Sequence, residues 1–139
     1  MNTDQHQWEL ANYRLEQAKE SLDEAKFLYK GKKSMRSVVN RLYYSHFYAI
    51  SALLIFEKYT SSKHSGVLSF FNQNFIKTKI FDEESGKAAN RLFEMRNRGD
   101  YREFVRFNEN EINELINATE SFLKKVDKYL STKNTKQNI

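Results

Sequence analysis

Two arginines, a carboxylate and a phenol fall within six positions in the segment RNRGDY, residues 96–101. Guanidinium groups bind phosphate oxygens, and a neighbouring phenol or carboxylate can take part in proton transfer. Residues five apart on an unbroken helix lie about 140° apart around its axis. We therefore expect Gly99 to end a helix, so that a bend lets Arg96 and Tyr101 converge. A structural alternative stays open, with Gly99 as a helix cap, Asp100 paired to an arginine and Tyr101 packed in the core.

A second polar cluster lies in the segment NRLYYSHFYA, residues 40–49. Arg41, Tyr44, Tyr48 and Ser51 are three and four positions apart, so they share one stripe of a helix whose other positions are largely apolar. An arginine in such a helix needs a carboxylate, a phosphate or the solvent edge. Arg41 is therefore either a phosphate ligand or the partner of Asp100 or a glutamate.

The third cluster is KHSG, residues 63–66, at the start of a short predicted helix. Free backbone donors at a helix start favour an anion, although His64 could instead cap the helix or pack against it. The chain has no cysteine, and its three histidines lack metal-ligand spacing. No phosphate loop or dinucleotide fingerprint is present. We expect neither a metal nor a cofactor.

Long helices must position these clusters. The chain has no proline and four glycines, which favours uninterrupted helices. Apolar residues three and four apart predict helices over about Asp4–Tyr29, from the cap Ser34 onward, over His64–Ile76, from the cap Asp82 to near Gly99, and over Asn108–Leu130. The sequence thus predicts an all-α antiparallel up-and-down bundle of four long helices plus one short helix. Residues 1–130 would form a single domain, and 131–139 a flexible polar tail.

Composition restricts the environment and the partners. The net charge of +5 permits an anionic partner such as RNA or a nucleotide. The lysines are scattered rather than clustered, so they do not require one. The N-terminal residues lack the pattern of a secretory signal, and the longest apolar stretch, Ala49 to Phe56, is too short to span a bilayer. We expect a soluble cytoplasmic protein without a membrane anchor.

The segments NRLYYSHFYAISALL, KHSG and RNRGDY, in this order, resemble the compact prokaryotic branch of the HEPN family, the higher-eukaryote and prokaryote nucleotide-binding domains. The resemblance implies a homodimer with the polar motifs near its cleft. Many members are metal-independent ribonucleases, and some are toxins paired with a small nucleotidyltransferase antitoxin. Their motif is an arginine, usually followed by a polar residue, then a histidine after four to six intervening positions. Arg96 and Asn97 match its beginning, and Tyr101 replaces the histidine. The spacing from Arg41 to His46 also matches, but it lies in the wrong segment and is interpreted as coincidence.

This resemblance implies roles for the three clusters. Expected catalytic residues are Arg96, Asp100, Tyr101 and His64, and expected nucleic-acid or phosphate ligands are Arg41, Lys63, Asn97 and Arg98. Arg96 would hold the scissile phosphate, while His64 or Tyr101 would handle the proton of the attacking ribose 2′-hydroxyl and Asp100 would orient one of these groups. Tyrosine has an ordinary pKa of about 10, which makes it a poor base at pH 7. A non-catalytic dimeric module that partners a nucleotidyltransferase-like protein or binds a nucleotide therefore remains an alternative, as does a structural adaptor.

Overall fold

The computed structural model describes residues 3–57, 59, 61, 63–101 and 107–137, and for 3, 98–101 and 134–137 only the backbone. Its five α-helices are α1 (Thr3–Lys30), α2 (Met35–Ile55), α3 (His64–Phe71), α4 (Glu83–Tyr101) and α5 (Glu109–Gln137). A single turn of π-helix, Asn72–Ile76, continues α3. No strand occurs in the described residues, and the predicted all-α helical bundle is confirmed.

Two helices begin at the caps that the sequence predicts. The hydroxyl of Ser34 accepts the backbone N–H of Ser37 at 3.5 Å, just before α2. Asp82 accepts both the backbone N–H and the hydroxyl of Ser85, at 3.0 and 2.7 Å. These side chains satisfy backbone donors that the first turn of a helix leaves without partners. They therefore fix where α2 and α4 start.

The predicted end of the fourth helix at Gly99 is wrong, because α4 passes through Gly99 to Tyr101. Gly99 does not have the positive φ of a glycine cap. A glycine inside a helix costs only about 1 kcal/mol relative to alanine, which the rest of α4 offsets. The bend invoked to bring Arg96 and Tyr101 together is therefore not at Gly99, and the side chain of Tyr101 lies outside the described residues.

The last helix is longer than predicted, since α5 continues past Leu130 to Gln137. Residues 131–137 are polar, so the apolar periodicity stops at Leu130 although no glycine or proline interrupts the helix. Lys133 places its ammonium group 5.4 Å from the ring centre of Tyr129 and 5.8 Å from that of Phe56. Such cation–π contacts help to hold a polar turn on the bundle. The final two residues of the predicted tail lie outside the described residues.

Helix α2 lies at the centre of the bundle and packs against α1, α3, α4 and α5. Its buried side chains face most directions around the helix axis. Phe71, Phe75 and Phe122 fill the space between the other helices and are almost fully buried. Because α2 lies at the centre, its buried polar side chains, Ser45 and His46, contact the neighbouring helices rather than bulk water.

Arg91 ties the second half of α4 to the start of α5. Its guanidinium donates two hydrogen bonds to Glu111, at 2.5 and 2.9 Å, and a third to Glu94 at 2.6 Å. Hydrogen bonding from Arg91 holds the pKa of the Glu111 carboxyl below its ordinary value, with burial acting against this shift. This bidentate contact holds α4 against the start of α5, about one and a half helical turns before Arg96.

We expect Arg91→Gln to lower the free energy of unfolding by about 1 kcal/mol, because a bidentate ion pair is lost but solvent still reaches both partners. Urea denaturation at neutral pH measures the change. Lys87→Gln is the matched control: its ion pair with Glu84 is longer, at 3.8 Å, and mostly exposed. Equal losses in the two variants would contradict a special role for Arg91.

Candidate functional site

Arg96 of α4 lies over two tyrosines of α2. The central carbon of its guanidinium is 4.9 Å from the ring centre of Tyr43 and 5.3 Å from that of Tyr44. Its Nη2 donates to the Tyr44 hydroxyl at 3.2 Å, and its Nε donates to the Asn40 side-chain oxygen at 3.4 Å. Asn40, Tyr43 and Tyr44 share one face of α2 because they are three and four positions apart. The charge of Arg96 is therefore held by cation–π and hydrogen-bond contacts to a buried helix.

His64, the first residue of α3, meets the same tyrosines. Its Nδ1 is 2.7 Å from the Tyr43 hydroxyl oxygen, and its ring centre is 4.2 Å from that of Phe47. Burial, together with the nearby charge of Arg96, lowers the pKa of His64 below its ordinary value. The imidazole is consequently neutral at pH 7, the form in which it can accept a proton. Arg96 and His64 thus converge on one pair of tyrosine rings from two different helices.

Tyr43 connects the two groups. Its side chain is buried, with 5% of the residue exposed. Burial disfavours the phenolate and raises the pKa of Tyr43 to about 12, although the positive charge of Arg96 opposes the shift. The phenol therefore stays protonated at neutral pH and does not act as a base. Its hydroxyl hydrogen-bonds with the imidazole of His64, and its ring lies against the guanidinium of Arg96.

A crevice of about 250 Å³ opens beside Arg96, between α2 and α4. Its wall includes a second arginine, Arg36, the polar side chains of Ser37 and Asn40, and the ring of Phe107. The described part of this wall contains no carboxylate. Two guanidinium groups that line one crevice suit an anion, above all a phosphate, whose oxygens match their donors.

The other predicted phosphate ligands are more dispersed. Arg41 contacts Glu24 of α1 at 3.4 Å, and both side chains are about half exposed. This contact is the pairing with a glutamate that the sequence leaves open as the alternative to phosphate binding. Lys63 is exposed in the position preceding α3, and Asn97 is half-buried beside Arg96 in the chain. The side chains of Arg98, Asp100 and Tyr101 lie outside the described residues.

Sequence reasoning did not include Tyr43 or Asn40 among the site residues. Tyr43 lies four positions after Val39 and seven before Ile50, so it follows the apolar spacing of the second helix, and it does lie in the core. A signal was available, because Asn40, Tyr43, Tyr44 and Phe47 recur at intervals of three and four and form a polar and aromatic face. Such a face on a central helix indicates that a polar group from a neighbouring helix packs on it.

His46 is separated from this site by its own contacts. It is 2% exposed, its Nε2 lies 3.0 Å from the hydroxyl oxygen of Thr119, and its ring stacks on Phe122 at 4.9 Å. Arg41 faces α1 instead. Their side chains therefore have partners on different helices, as expected if the spacing between Arg41 and His46 is coincidental.

The described residues also bear on metal binding and on membrane insertion. Among them, no three side chains of histidine, aspartate or glutamate come together as a group that could hold a metal ion. None of their helices combines the length and apolar character that crossing a bilayer requires.

The chain matches the family model of the HEPN domain over residues 11–129. It is 44% identical over 121 residues to a "UPF0332 protein" of Thermotoga maritima, which covers 87% of this chain and 91% of that protein. Two Methanocaldococcus jannaschii proteins are also similar. "Putative toxin MJ0142" is 36% identical, covering 86% of this chain and 81% of its own, and "Putative toxin MJ0605" is 30% identical, covering 84% and 85%. With its helical bundle and the arginine-centred site on α2 and α4, the chain belongs to the HEPN domain family.

Proposed function

We propose that this protein is a toxin-type HEPN protein of the cytoplasm that binds RNA beside Arg96 and cleaves it without a catalytic metal. The observation that carries the proposal is the convergence of Arg96 and His64 on Tyr43, together with a crevice that Arg96 lines with a second arginine. Two relatives whose printed names describe them as toxins support the toxin assignment. The overall positive charge is consistent with an RNA ligand.

The proposed reaction is attack of the ribose 2′-hydroxyl on the adjacent phosphorus. Arg96, with Arg36 at the other side of the crevice, binds the phosphate and stabilises the negative charge that grows on its oxygens. His64 accepts the proton of the 2′-hydroxyl through Nε2, since Tyr43 contacts its other nitrogen. The bond from phosphorus to the 5′-oxygen breaks, and this oxygen takes a proton from solvent water as it leaves. The products are a 2′,3′-cyclic phosphate and a 5′-hydroxyl.

The remaining residues predicted from the sequence extend this proposal to the rim of the site. Asn97 and Arg98 follow Arg96 and would contact the RNA backbone, as would Lys63 before α3 and Arg41 if it exchanges Glu24 for a phosphate. We keep Asp100 and Tyr101 as proposed orienting and proton-transfer groups.

A labelled single-stranded RNA and a DNA of the same sequence test this function directly. Each is incubated with the full chain at neutral pH, once with a chelator and once with Mg²⁺. We expect the RNA to be cut in both cases into fragments that end in a cyclic phosphate, and the DNA to stay intact. Cleavage that needs the metal, or that survives in both Arg96→Ala and His64→Ala, would contradict the proposed site.

We also propose that the protein acts as a homodimer, as its family implies, with two copies of the site at a shared cleft. Sedimentation at micromolar protein concentration measures the assembly. A species of twice the chain mass of 16.6 kDa is expected, and a single monomeric species would contradict the dimer.

One feature of the sequence favours a second candidate function: Tyr101 replaces the histidine of the family motif. In that case the protein is a non-catalytic dimeric module that binds RNA or a nucleotide and partners a small nucleotidyltransferase-like protein. RNA that is bound and stays intact, with binding lost in Arg96→Ala, would favour this candidate. A nucleotidyltransferase encoded by a flanking gene, which copurifies with the chain, would support it further.

A further inference from the structure

His46 has one nitrogen with a partner and one without. The hydroxyl of Thr119 donates to the backbone oxygen of Leu115 at 2.7 Å, so its oxygen must accept the N–H of His46 Nε2 at 3.0 Å. Nδ1 therefore carries a lone pair. Burial lowers the pKa of His46 to about 3, so that a second proton is absent at neutral pH. Nδ1 is buried and has no hydrogen-bond donor among the described residues.

A small cavity lies next to this ring. Its volume is about 20 Å³, and its polar side chains are those of His46, Tyr43 and His64. The rest of its described wall is apolar: Phe47, Ile50, Val67, Leu68, Ala89 and Phe93. A space of about 10–15 Å³ suffices for one water molecule if two or more polar partners are within reach. The volume is sufficient, and the side chains of Tyr43 and His46 both line the space. A buried acceptor such as Nδ1 is rarely left without a donor.

We propose that one buried water molecule joins the Tyr43 hydroxyl to His46 Nδ1, which makes His46 a positioning residue for His64. The water donates to Nδ1 and accepts the O–H of Tyr43. The Tyr43 oxygen, 2.7 Å from His64 Nδ1, then accepts an N–H from that nitrogen. Every group donates in the same direction, from His64 to the carbonyl of Leu115, and hydrogen bonds in such a chain strengthen one another.

The chain fixes which nitrogen of His64 is free. With its proton on Nδ1, His64 presents the lone pair of Nε2, and a base oriented by a second group is the usual arrangement for proton abstraction. Of the other groups that face His64, the cation of Arg96 cannot accept a hydrogen bond, and the Tyr44 hydroxyl oxygen already accepts one from Arg96. The role of Nε2 rests on the proposed function, whereas the protonated nitrogens can be identified without any reaction.

Long-range ¹H–¹⁵N NMR correlations of the full chain, labelled at histidine, show which nitrogen of each ring carries a proton. At neutral pH we expect the proton on Nε2 in His46 and on Nδ1 in His64. His46→Phe retains a ring to stack on Phe122 and fills the cavity. The Tyr43 proton then has only His64 Nδ1 to bond to, so the proton of His64 should move to Nε2. Ile50→Val, which shortens a side chain in the cavity wall and removes no nitrogen, should leave His64 unchanged.

The inference is overturned if His64 carries its proton on Nε2 in the unmodified protein, or if His46→Phe folds and leaves His64 as it was. Should His46→Phe fail to fold, the spectrum of the unmodified protein decides alone. RNA cleavage separates the two proposals. The expected protonation pattern without cleavage would refute the ribonuclease and retain the water-linked chain. Cleavage with the opposite pattern would retain the ribonuclease, refute the chain and exclude His64 Nε2 as its base.

Discussion

Arg96→Ala is expected to lower the rate of RNA cleavage at least about 100-fold, the scale on which active sites lose activity when one preorganised charge-stabilising donor is removed. Arg96 and His64 contact the same two tyrosines, Tyr43 and Tyr44. Removal of Arg96 takes away both the binding of the phosphate and the stabilisation of the developing charge. Initial rates with labelled RNA measure the loss, and circular dichroism reports whether the helices persist.

Two further variants separate the local effect from net charge. Arg14→Ala removes the same charge from α1, where Arg14 bonds to Gln17, and should leave the rate nearly unchanged. Arg96→Lys keeps the charge but loses the planar pair of donors, so an intermediate rate is expected. If Arg14→Ala and Arg96→Ala slow cleavage equally, the net positive charge of the protein, rather than the position of Arg96 in the site, explains the effect.

Acidification from pH 7 to pH 5 is expected to reduce the free energy of unfolding by about 2 kcal/mol through His46 alone. Burial holds the pKa of His46 at about 3 in the folded protein, against an ordinary value of 6.5. Below pH 6.5 the unfolded chain binds a proton that the folded protein does not, so stability is fully present above pH 6.5 and falls as the pH decreases. Urea denaturation at pH 7, 6 and 5 measures the slope of the free energy of unfolding against pH.

His46→Phe should remove most of this slope. His64, whose pKa is also lowered by burial and by Arg96, contributes in the same direction and leaves a smaller dependence. Asp82 does not interfere, because hydrogen bonds from Lys125 and Ser85 lower the pKa of its carboxyl from 3.8 to about 2, and its contribution is lost only below this pH range. An unchanged slope in His46→Phe would contradict the assignment to this residue.

The sequence predicts most of the fold because its signals are local. The caps Ser34 and Asp82 and the regular apolar spacing locate the starts of α2 and α4. The ends are less predictable. Gly99 is tolerated inside α4, and the polar turns after Leu130 stay helical without an apolar stripe to indicate it. Both errors arise where tertiary context rather than local preference decides the conformation.

The site is predictable only in part, because its members come from three helices. Arg96 and His64 stand out by residue type, whereas the partner of each depends on how α3 and α4 pack on α2. Tyr43 fits the apolar period of α2 and is therefore assigned to the core. For Arg41 the sequence indicates the need for a partner but does not identify Glu24, which comes from a different helix.

Helix α2 supplies the centre of the core and, through Tyr43 and Tyr44, the support for Arg96. A change at a buried position of this helix therefore alters the amount of folded protein in a cell as well as the geometry of the site. A loss of about 1–2 kcal/mol can change cellular abundance several-fold. In a genetic selection for variants that do not harm the cell, substitutions of Tyr43 would be recovered largely because proteases degrade the destabilised protein. Substitutions of the half-buried Arg96 would instead yield inactive protein at normal levels, so immunoblots of the survivors would distinguish residues that support the site from residues that act in it.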